Sequence, residues 1–140
     1  MRISPKALIS PGFQHFCFRA GIFFYLLILA VGSIPGARQD IANYATGLVL
    51  HSVAYAVIST LIFVGTFGAA SRRAFTAILT VAAMGALDEY VQSFFPYRTA
   101  AITDWLVDTV SGLVVSVVLW RLWPQFVRRI EGCDINPTSE

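Results

Sequence analysis

Four long apolar stretches, separated by short polar or helix-breaking segments, dominate the pattern of this chain. They run from about Phe16 to Ile34, Leu48 to Ala70, Ala74 to Phe94 and Ile102 to Trp123, each close to the roughly 20 residues a helix needs to cross a bilayer. Between Ala45 and Ser71 the sole acidic or basic side chain is His51, and Ala74 to Leu87 carries none. Residues that end helices stand at the breaks: Pro35-Gly36 after the first stretch, Ser71-Arg72-Arg73 after the second, Pro96 after the third and Pro124 after the fourth. The pattern predicts an all-α membrane protein, a bundle of four transmembrane helices with short loops, in one domain over residues 1–129. The tail 130–140 is polar and aperiodic and reads as disordered. The first stretch reads as a retained span, because Pro35 would occupy the −3 position of a signal-peptide cut after Ala37.

Composition agrees with the pattern. Of 140 residues 56% are hydrophobic and 13% charged, about half the charge of an average soluble domain. The net charge of +2 is small, but its placement orients the bundle. Arg2, Lys6, Arg19, Arg72, Arg73, Arg121, Arg128 and Arg129 fall on one side, and Arg38 and Arg98 on the other. Positive residues concentrate on the cytoplasmic side, so both termini are expected inside. Trp120, Trp123, Phe94 and Tyr97 at span ends fit an interfacial aromatic belt. Cys17 and Cys133 then both lie toward the cytoplasm, where thiols stay reduced. No basic run with interleaved aromatics supports nucleic-acid binding. No GxGxxG, Walker loop, CxxC pair or HExxH helix points to a nucleotide or a metalloprotease site.

The orientation brings polar residues of three spans to the outer level. His51 opens the second span, Glu89 and Gln92 close the third, Arg98 lies in the loop that follows, and Asp104 and Asp108 open the fourth. Ionisable residues within a span cost roughly 2.5–3.5 kcal/mol on insertion scales, so such a cluster is a functional-site hypothesis. Glu89 and Gln92 share a helix face, as do His51, Tyr55 and Ser59, and Asp104, Asp108 and Gly112. Gly112, beside Ser111, would let a neighbouring helix approach closely. Asp88 sits about 100° around the helix from Glu89 and is expected to turn toward the membrane interface. Three carboxylates against one fixed cation imply either a carboxyl held protonated or an external cation; the first is favoured, as an acid/base pair. Glu89 and Asp104, assisted by His51, are the candidate catalytic groups, and Gln92, Arg98 and Asp108 the candidate headgroup-binding groups. No cofactor is expected, and a metal is set aside because a single histidine lies on this side. Tyr25 and its neighbours read as lipid-facing or packing bulk, Tyr55 and Ser59 as packing residues with satisfied hydroxyls.

The same residues resemble the VanZ-like family of small bacterial membrane proteins. The resemblance spans roughly His51 to Gly112. It rests on a histidine opening one span, Glu-x-x-Gln at Glu89 and Gln92, Pro-x-Arg at Pro96 and Arg98, and then Asp104. Family members often carry an Asp-Lys pair where this chain has Gly47 and Leu48; a usual asparagine is Asp108 here, and an expected glycine is Ser111. The resemblance implies a multi-pass protein of the bacterial cytoplasmic (inner) membrane with an envelope-associated role, and at family level a link to glycopeptide (teicoplanin) resistance. An outer-facing site suits a lipid headgroup or a lipid-linked envelope precursor. Three roles stay open: a binding or accessory protein, a small membrane-embedded enzyme, and a structural subunit with partners inside the membrane. The second-ranked reading of the polar cluster is an interhelical clamp in which Arg98 pins two helix ends.

Overall fold

A computed structural model of the chain describes residues 10–34, 47–96 and 102–132. These residues form four α-helices: α1 (Pro11–Gly32), α2 (Gly47–Gly65), α3 (Ala70–Gln92) and α4 (Ile102–Gly132). All four are long and apolar enough to cross a membrane. The expected all-helical, four-span architecture is therefore present.

Local chemistry explains the ends. Ser10 caps α1, its hydroxyl accepting from Phe13 N–H at 3.3 Å, and Pro11 takes the first helical position, where a missing N–H costs nothing. Between α2 and α3 the break lies at Thr66–Ala69, earlier than the expected Ser71-Arg72-Arg73. Gly68 adopts a φ of 101°, a left-handed turn conformation that a side chain disfavours. The Thr66 hydroxyl donates back to Ile62 O at 2.7 Å. Arg72 and Arg73 therefore open α3 and form no loop. α4 also differs: it continues through Pro124 to Gly132, past the expected end at Trp123. At about 1.5 Å per residue this helix exceeds the roughly 30 Å hydrocarbon core, so one end must project beyond it. Only 131 and 132 of the tail expected to be disordered from 130 on, together with Ile130, are described, and all three are helical.

α2 is the central element and packs on α1, α3 and α4. Tyr55, Ile58, Ser59, Ile62 and Phe63 are fully buried along it. Tyr25 of α1 and Ala74, Ala77, Val81 and Met84 of α3 complete the core. The outward faces carry large apolar side chains such as Phe16, Phe23, Leu79, Val110 and Val114, as a lipid-facing surface requires. Small residues set the helix separations. At Gly112 an added Cβ would stand 2.6 Å from Val81 Cγ1, so the close approach of α3 and α4 needs glycine there. Ser59 adds polar fastening, donating to Gly112 O at 3.1 Å and pairing with Ser116 Oγ at 2.9 Å. These bonds, with His51 meeting Asp108 two turns earlier, mean that α2 and α4 run in the same direction.

Candidate functional site

The site is built where α2 begins, α3 ends and α4 begins. The expected stripe His51, Tyr55, Ser59 on α2 faces the expected stripe Asp108, Gly112 on α4, extended by Ser116. His51 Nδ1 and Asp108 Oδ1 share a hydrogen bond of 2.9 Å. The imidazole stacks on the Tyr55 ring, with centroids 6.2 Å apart and planes 5° from parallel, which holds it in register with its own helix.

α3 supplies the third member, and it is Asp88. One ligand atom each from His51, Asp88 and Asp108 lie within 4.8 Å of one another. Asp88 is 3% exposed and Asp108 fully buried. The expectation that Asp88 turns toward the interface is thus corrected. The inner face of α3 is the line Ala74, Ala77, Val81, Met84, Gly85, Asp88 and Gln92, spaced by three and four. Glu89 is one step round that helix, half-buried, and stands outside the cluster. The small residues Ala74, Ala77 and Gly85 mark the packing face in the sequence, and extending their line leads to Asp88 and not Glu89.

The remaining expected residues divide. Gln92 is buried one turn beyond Asp88, on the same face. Asp104 is half-buried in the first turn of α4, where the helix dipole favours an anion, and lies outside the cluster. Arg98 falls outside the described residues.

Two buried polar atoms give the site its character. Asp108 Oδ2 has no hydrogen-bond partner among the described residues, and neither has the Tyr55 hydroxyl. The expected satisfied hydroxyl is therefore found at Ser59 but not at Tyr55. Asp108 Oδ2 faces α3, 3.3 Å from where a Cβ on Gly85 would stand. Buried polar groups without partners cost on the order of 1–3 kcal/mol each, more when charged, so each one calls for an explanation.

α1, whose Tyr25 is expected to be lipid-facing or packing bulk, reaches the site from behind. Tyr25 is buried, and its hydroxyl donates to Met84 O at 3.1 Å, the carbonyl one turn before Asp88. Trp105 similarly ties α4 to α3 through its indole N–H and Ala82 O at 3.0 Å. The backbone of α3 around Asp88 is thus held from both sides.

The arrangement can accept hydrogen bonds from hydroxyl, amide or ammonium groups, hold a proton between His51 and a carboxylate, or ligate a cation. No curated protein and no solved structure matches the chain. The sequence profile described as VanZ/LLP1 matches residues 16–124, and the chain belongs to that family.

Proposed function

We propose that this VanZ-family protein sits in the bacterial cytoplasmic membrane with both termini inside, and binds the polar headgroup of a lipid or lipid-linked envelope precursor. Binding is through the His51–Asp88–Asp108 cluster, at the outer leaflet. The observation that carries the reading is the buried Asp108 Oδ2 without a hydrogen-bond partner among the described residues, beside a second buried carboxylate. A clamp between helices uses one carboxylate and satisfies it; this cluster has two and leaves an acceptor for a donor from outside. The positions of eight of the ten Lys and Arg support the outward orientation. Gln92, one turn beyond Asp88, is the neutral partner for a headgroup amide or hydroxyl. Arg98 of the outer loop is the cation for an anionic group, by resemblance to the family's Pro-x-Arg.

A second reading is favoured by the 2.9 Å His51–Asp108 bond, which has the form of a base held by an orienting carboxylate. In that reading the acid/base pair is drawn from Asp88, Asp108 and His51, with Glu89 and Asp104 in supporting positions. Profiles of lipids and envelope precursors in a deletion strain separate the two. An enzyme predicts that one defined species accumulates and that wild type, but neither Asp88→Asn nor Asp108→Asn, clears it. A binding role predicts an unchanged set of species with altered amounts or leaflet distribution, and teicoplanin resistance restored by wild type alone. Full complementation by both variants at wild-type protein levels contradicts both readings.

A further inference from the structure

We propose that His51, Asp88 and Asp108 form a binding site for one divalent transition-metal ion of the Mn²⁺ or Zn²⁺ class. The single histidine argues against a metal in the sequence; burial of Asp88 beside it changes the donor count from two to three. One imidazole nitrogen and one oxygen from each carboxylate lie within 4.8 Å of one another. Ligands on one such ion, at bonds of about 2.1 Å, stand about 3–4 Å apart, so the side chains need draw together by about 2 Å at most. One nitrogen with two carboxylate oxygens is a donor set for Mn²⁺ or Zn²⁺ rather than for the softer Cu⁺.

Two further observations point to a ligand. Asp108 is fully buried, yet its Oδ2 has no hydrogen-bond partner among the described residues and faces the helix that carries Asp88. A His51–Asp108 clamp accounts for Oδ1 and the imidazole and leaves both Oδ2 and Asp88 without a role. Charge supplies the other argument. A neutral imidazole, two carboxylates and a divalent ion sum to zero, the arrangement that a low-dielectric site tolerates best. Access is available through His51, whose side chain is 16% exposed while Asp108 is fully covered.

The metal inference does not depend on the headgroup reading, since the ion binds without lipid. The test uses the full chain in a non-ionic detergent, stripped with chelator and titrated with Mn²⁺ alone, free ion being followed by electron paramagnetic resonance. Wild type and Ser59→Ala should each bind one Mn²⁺ per chain. Asp88→Asn and Asp108→Asn should each weaken binding by about tenfold or more. Pulsed resonance on the loaded wild type should detect one imidazole nitrogen, absent in His51→Gln. That readout on wild type alone keeps the inference testable if a carboxylate variant fails to fold. No saturable binding by wild type, equal affinity in the Asp88→Asn/Asp108→Asn double variant, or bound Mn²⁺ without a nitrogen overturns it, and leaves the headgroup reading standing.

Discussion

The two ends of the bundle bury charge in opposite ways, although α2, α3 and α4 contribute to both. At the Arg73 end the buried cation is answered. The guanidinium, 5% exposed, donates from Nε to Gly68 O at 2.9 Å and from one terminal nitrogen to Val64 O at 3.0 Å and Phe63 O at 3.3 Å. Its Cζ lies over the Trp123 ring of α4, 4.5 Å from the centroid. A helix leaves its last carbonyls without intrahelical partners, and Arg73 supplies them from the next helix. At the other end, His51, Asp88 and Asp108 come together with an acceptor left over. A buried charge with full partners is architecture; buried carboxylates with an unused oxygen point to a ligand. The clamp reading of the polar cluster turns on Arg98, which lies outside the described residues.

Substitutions break or sharpen this contrast. Arg73→Ala should have the largest effect on stability, about 3 kcal/mol, because it strips donors from buried carbonyls and the cation from Trp123. Thermal unfolding in nanodiscs reads it, and Arg73→Lys should fall between, keeping charge and losing the planar fork. Gly112→Val should cost about 2 kcal/mol by forcing α4 away from Val81. It should also weaken function by pulling Asp108 from Asp88, which ligand or metal affinity would register. Ser59→Ala should cost about 1 kcal/mol and leave the site's affinity unchanged. Asp108→Asn should be smallest in stability, within about 0.5 kcal/mol, because the amide still pairs with His51 Nδ1 while one buried charge disappears. Equal losses of stability for Arg73→Ala and Asp108→Asn would erase the distinction between the two ends.

Much of the fold is legible in the residues, for a plain reason: in a bilayer, length and apolarity determine a span, and each of the four runs declares itself. The stripes His51-Tyr55-Ser59 and Asp108-Gly112 are legible too, because steps of four place residues on one face. What misleads is local charge. Arg72-Arg73 resembles a loop, yet Gly65 and Gly68 bracket the turn and the arginines belong to α3. Asp88 and Glu89 are adjacent acids, and the Glu-x-x-Gln pattern draws attention to Glu89. The packing face is instead read from the small residues upstream, which lead to Asp88. The Tyr25 bond to Met84 O has no sequence signal, since an aromatic inside an apolar run looks like lipid-facing bulk.

Asp88→Asn tests the central claim most directly, with folded yield and unfolding temperature measured beside complementation of a deletion strain. The account predicts wild-type yield, an unfolding temperature within a few degrees of wild type, and no complementation. Retained complementation, or yield and complementation falling together as they should for Arg73→Ala, would contradict it.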